Sequence, residues 1–91
     1  GVPSDIKLIE LQKKVEQLEA VISVHDLHVW SLDSQYNIAS LHAVISPAMT
    51  LEQMTQLKHN IKLLMLAEQI EHTTVEFETE QEECHPCDAR L

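Results

Sequence analysis

The sequence predicts an α+β domain of ferredoxin-like type, a three-stranded sheet with two helices packed on one of its faces. Three observations lead there. Two segments repeat apolar residues at helical spacing, three others alternate apolar with polar residues, and their order along the chain is α-β-β-α-β. The chain has 91 residues, enough for one small domain, and with one Gly and three Pro it lacks the breakers of a disordered segment.

Ser4 reads as a helix cap, with Asp5 in the first turn on the favourable side of the helix dipole. Leu8, Leu11, Val15 and Leu18 then recur at helical spacing, which predicts a first helix ending near Glu19. Residues Val21 to Val24 lead into a first strand, His25-Asp26-Leu27-His28-Val29-Trp30-Ser31-Leu32, whose β-branched and aromatic content favours extended backbone. The polar run Asp33 to Asn37 suits a hairpin loop, and Ile38 to Ile45 is the second strand, closed by Pro47. Thr50 and Gln53 form a capping-box pattern that opens a second helix. Met54, Leu57, Ile61, Leu64 and Met65 line one of its faces. The third strand is Thr73 to Glu78, with Val75 and Phe77 toward the core and Glu76 and Glu78 away from it.

A right-handed crossover through the second helix makes the third strand parallel to the second. Its expected place is beyond the first strand, giving the order two-one-three with strand one central. Residues 1–79 form the domain, and 80–91 an acidic tail carrying Cys84-His85-Pro86-Cys87.

A five-residue loop sets Leu32 opposite Ile38 and His28 opposite His42. Directly opposed residues share a face, with Cβ atoms about 4.5–5.5 Å apart, so the two imidazoles could hold one metal ion. In this register Leu27, Val29, Ala39, Leu41, Ala43 and Ile45 form the core face. His28, Trp30, Ser40 and His42 fall on the other, and Trp30, Ile38 and Val44 remain exposed there as a patch for a partner. In so small a core, isologous contact between two copies is the expected use of that patch.

The formal charge is −9, from 15 acids against 6 Lys and Arg, with no basic cluster. That argues against nucleic acid or an anionic membrane surface as a ligand and favours cations. No Ser/His/Asp set, phosphate-cradling Gly loop or nucleophile elbow is present, so the chain does not read as an enzyme. No apolar run reaches the roughly 18 residues of a membrane helix.

The chemistry lies in the His, Cys and acidic residues. His28 and His42 with Glu78 or Glu76 make an N/N/O metal site on the open face; the simpler reading is a solvated face that carries His. Cys84 and Cys87 are too close in sequence to staple a fold; they form half of a zinc knuckle, needing further ligands, or belong to a redox-inert tail, or make a thioredoxin-like redox pair. His72 could join those thiolates, or be a surface His in a turn. His25, three residues before His28, faces the opposite way in a regular strand unless a bulge at His25-Asp26 turns it outward. His59, mid-helix among Lys residues, reads as solvated. Such donors favour zinc, cadmium, cobalt or copper over magnesium or calcium.

The HDLHVWSL stretch, His42 in the next strand, and His72-Thr73-Thr74-Val75-Glu76-Phe77-Glu78 together resemble the C-terminal cytoplasmic domain of cation diffusion facilitators. The opening Gly1-Val2-Pro3, without an initiator Met, resembles the segment just after that family's last membrane helix. The resemblance implies a metallochaperone-similar module on the cytoplasmic side of a membrane. It implies that the module dimerises, binds metal between protomers and regulates proton-coupled export of zinc, cobalt, cadmium, iron or manganese by the transmembrane domain of the same transporter. It further implies zinc ligands at His28, His42 and Glu78, and a neighbouring site of His72, Cys84 and Cys87, with His85 inside the CxxC. In some bacterial members the ligand is the first His of the motif, here His25, with a His where Glu76 stands. A free-standing metal carrier of the same fold and a ferredoxin-like domain that senses a small molecule are the competing readings.

Overall fold

The computed structural model describes residues 5–33 and 35–82. Ser4, Ser34 and the Cys84-His85-Pro86-Cys87 tail lie outside the described residues. Helix α1 spans Asp5–Glu16, β1 Ser23–Asp33, β2 Tyr36–Val44, α2 Leu51–Ala67 and β3 His72–Glu78, followed by a short 3-10 turn over Glu80–Glu82. The α-β-β-α-β order and the two-layer, ferredoxin-like α+β architecture are those the periodicity predicts.

Both helices lie on one face of the sheet. Leu11 and Val15 of α1, and Leu57, Ile61 and Met65 of α2, meet Val24, Val29, Ala39, Leu41 and Ala43 in one core. The spacings i, i+4 and i, i+4, i+8 are those of a helix stripe turned to a sheet. Thr50 caps α2: its hydroxyl accepts from the Gln53 amide at 3.0 Å, and its own amide donates to Gln53 Oε1 at 2.8 Å.

The strand order is β1-β2-β3, so β2 is central, and not strand one as the sequence suggested. The crossover is parallel as expected, but β3 pairs directly with β2, from Ile38↔His72 to Val44↔Glu78. Composition explains the arrangement. Ala39, Leu41, Ala43 and Val44 are all buried in β2, whereas β1 carries Asp26 and Asp33, charges suited to an edge. The edge of β1 is closed at Val24 by α1. Gln12 Nε2 donates to the Val24 carbonyl, and the Val24 amide donates to Glu16 Oε2, both at 2.8 Å.

The hairpin register also departs from expectation. The strands reach Asp33 and Tyr36, and Leu32 is an unpaired irregularity between Ser31↔Asn37 and Asp33↔Tyr36. A second break lies lower in β1: His25 pairs with His42 and His28 with Ser40, so Asp26 and Leu27 together face Leu41. This is a β-bulge, with Asp26 at φ 54°. His28 is therefore not opposite His42. Val44, expected exposed, is fully buried, because in the central strand it is flanked by Ser23 and Glu78.

Left-handed backbone also occurs at Ala20 (φ 81°) and Gln69 (φ 63°). Gln69 ends α2 in a Schellman arrangement: its amide donates to the Leu66 carbonyl at 3.0 Å, and the amide of buried Ile70 donates to that of Met65 at 2.9 Å. Glycine takes this conformation without the Cβ clash that a side chain brings. Gln69→Gly should therefore stabilise the fold by about 0.5–1 kcal/mol, seen as a melting temperature higher by a few degrees. An unchanged or lower melting temperature would show that the Gln69 side chain offsets the backbone cost.

Candidate metal centre on the open sheet face

The face of the sheet turned away from the helices carries cross-strand rows set by the register. One row is Trp30, Ile38 and His72; the next is His28, Ser40 and Thr74; then come His25, His42 and Glu76. The last is Ser23, Val44 and Glu78. The bulge is what puts His25 here. In an unbroken strand residues three apart point to opposite faces, but the extra residue at Asp26-Leu27 restores His25 to the side of His28.

Glu78 lies at the centre of this cluster. Its side chain is 2% exposed, while those of His25 and His42 are 29% and 27% exposed. A carboxylate that buried needs donors for both oxygens. His25 Nε2 donates to Oε1 at 2.6 Å and His42 Nδ1 donates to Oε2 at 2.5 Å. The two rings stand 5.2 Å apart, centroid to centroid, at 59°. Asp26 Oδ2 is 3.3 Å from His25 Nδ1 and 3.8 Å from His42 Nδ1, and Glu76 Oε1 is 3.7 Å from His42 Nε2.

Among the described residues two groups of three donors result, both containing His42: His25, Asp26 and His42, and His42, Glu76 and Glu78. Within each group the ligand atoms lie within 4.8 Å of one another. Imidazole nitrogen with carboxylate oxygen is a donor set for zinc and its first-row neighbours. The surrounding charge favours a cation as well. All five lysines lie on α1 or α2, and the three strands carry Asp26, Asp33, Glu76 and Glu78 without a single Lys or Arg.

Of the residues singled out in the sequence, His25, His42, Glu76 and Glu78 come together. His28 is exposed and stacks on Trp30, with ring centroids 5.8 Å apart at 23°. His72 pairs with Ile38 at the opposite end of β3 from Glu78, about 20 Å away along the strand. His59 is exposed on α2, as expected. Cys84, His85 and Cys87 fall outside the described residues. Asp26 is the residue that sequence reasoning missed: nothing in a strand pattern marks it as facing the histidines.

Burial acts to lower the His25 pKa, but the hydrogen bond and charge of Glu78, with Asp26, outweigh it and hold it above the usual 6.5. Burial likewise acts to raise Glu78, and the hydrogen bonds and charges of His42 and His25 outweigh it, holding the carboxyl below 4.5. A raised imidazole stabilises the fold fully below its unfolded pKa, and that stability is lost as pH rises through the folded value. A depressed carboxyl stabilises above its unfolded pKa, and loses that contribution as pH falls through the folded value. The metal-free pair therefore contributes most between the two ordinary values, 4.5 and 6.5. Denaturant unfolding of the parent and Glu78→Gln across pH should show the largest stability difference in that window, shrinking on both sides. A difference independent of pH would mean that the pair does not titrate as an ion pair.

Comparison with known proteins supplies the family. The family model described as cation efflux protein, cytoplasmic domain, matches residues 3–80. A cadmium, cobalt and zinc/H(+)-K(+) antiporter of Bacillus velezensis is 32% identical over 79 residues, covering 87% of this chain and 25% of its own length. The metal cation efflux system protein CzcD of Cupriavidus metallidurans is 34% identical over 91 residues, covering 98% and 27%. The chain thus spans about a quarter of the length of these curated relatives. Among solved structures, a point variant of the MamM-CTD superposes with a TM-score of 0.74 at 18% identity, covering 86% of this chain and 99% of that one. The copper form of the MamM CTD gives 0.74 at 18%, covering 84% and 75%. These structures share the fold, and the sequence match supplies the family: this chain belongs to the cytoplasmic domains of the cation efflux proteins.

Proposed function

We propose that the chain is the metal-sensing, dimerising regulatory domain of a divalent-cation efflux transporter, and not an enzyme. Its metal site is His25, His42 and Glu78, with Glu76 beside His42. The observation that carries this reading is the Glu78 carboxylate, buried between two imidazoles on a sheet whose strands carry no Lys or Arg. A His–Glu–His contact could serve stability alone. The flanking acids argue for more, since each added negative charge costs energy unless a cation is present. His25 takes the place first given to His28, because the bulge sets His25, and not His28, opposite His42. His28, His72 and the Cys84-His85-Pro86-Cys87 tail remain candidates for a neighbouring site. The relatives' names point to zinc, cadmium or cobalt as the ion, and transport would belong to a membrane part outside this chain.

The homodimer rests on exposed Trp30 and half-buried Ile38 on the same face, with exposed Leu32 and Tyr36 beside them at the hairpin end. Two copies closing over this face would also bring their acids together, so metal should favour association. Calorimetry should show tight zinc binding that chelator reverses and that His42→Ala weakens by at least about tenfold. Sedimentation should show a dimer strengthened by zinc. Absence of zinc binding would sink the sensing role, and a monomer at high concentration with and without zinc would sink the dimer.

A further inference from the structure

We propose that Asp26 is itself a ligand, forming with His25 and His42 a three-donor metal group carried by two adjacent strands of one protomer. The proposal rests on the reading of those two histidines as ligands and extends it by a residue that a strand pattern places on the wrong face.

With His25 on the open face, residue 26 of a regular strand would point into the core. It does not, because Leu27 takes that place and packs against the core cluster. Asp26, at φ 54°, is left with its side chain 58% exposed and beside the two rings. Its Oδ2 is 3.3 Å from His25 Nδ1 and 3.8 Å from His42 Nδ1. The ligand atoms of the three residues lie within 4.8 Å of one another. Glu76, the other exposed acid of the cluster, stands in a different relation, 3.7 Å from His42 Nε2 on the far side of that ring. One imidazole binds one ion through one nitrogen. An ion at His25 Nδ1 and His42 Nδ1 replaces the proton His42 shares with Glu78 Oε2 and has Asp26 in reach. Glu78 Oε1 keeps His25 Nε2, and Glu76 suits the outer-shell role of orienting His42 from Nε2.

The identity of the residue points the same way. A left-handed bulge position is least costly for Gly and tolerable for Asn or Asp. Conformation alone therefore needs no charge, and Asp adds one close to Glu78 and Glu76 in a chain of net charge −9. A dication offsets that repulsion. Two imidazoles and a carboxylate within one protomer suit zinc, cobalt or cadmium, and they require neither a second copy nor a thiolate.

The test uses the 91-residue chain with Asp26→Asn and Asp26→Gly, both compatible with the bulge, and with His25→Ala and His42→Ala as references. Zinc itself is titrated by calorimetry, and each variant is melted without metal. Loss of an outer-shell partner already weakens metal sites by about 10–100-fold, so removal of the Asp26 carboxylate should weaken zinc binding at least about tenfold. The Asp26→Gly protein should melt at or above the parent, which separates a lost ligand from a lost fold. Parent-like zinc affinity in both Asp26 variants, with His42→Ala weakened, overturns this proposal alone and leaves Asp26 as a turn residue. Parent-like affinity in His25→Ala and His42→Ala as well overturns the histidine site and this proposal with it.

Discussion

The structure depends on one extra residue in β1. Val24 and Val29 both belong to the core, yet they are five positions apart. In a strand of period two, an odd separation sends them to opposite faces. The bulge at Asp26-Leu27 removes the conflict by setting two residues against Leu41. The same shift carries His25 and His28, three positions apart, onto the face without helices. Core and candidate site are therefore two results of a single backbone irregularity, and neither could keep its present form if the strand were straightened.

What the bulge delivers is completed from the far edge of the sheet. Parallel pairing places Glu78 beside Val44 at the end of β3, one row beyond His42. Burying a carboxylate there is costly, and two charge-assisted hydrogen bonds from the imidazoles offset the cost. The polar centre thus spans all three strands, because β2, which lies between the other two, supplies the shared His42.

The fold class and element order were legible because they rest on periodicity. The helix stripes, the Thr50–Gln53 cap and the core face from Val29 to Ile45 need only the spacing of apolar residues. The strand order was not, since alternation says which face a residue occupies and nothing about which strand lies between the others. A signal was available: β1 carries Asp26 and Asp33, whereas β2 has no Asp, Glu, Lys or Arg. Of the site, His42, Glu76 and Glu78 were readable from parity, and His25 only through the alternative of a bulge. Asp26 was hidden because left-handed backbone is usually announced by Gly, and the one Gly of this chain is its first residue.

The fastening of α1 to β1 ties the helix to the strand that carries the candidate site. Glu16 and Gln12 grip the backbone of Val24, the residue immediately before His25, so the last turn of the helix is bolted next to the site. From Glu16 the helix runs back to Asp5, a rigid rod of 12 residues and about 18 Å. A tilt of about 10° around that bolt displaces the far end by about 3 Å. Geometrically the helix is a lever with its short arm beside His25, so any rotation at Val24 corresponds to a larger displacement at Asp5.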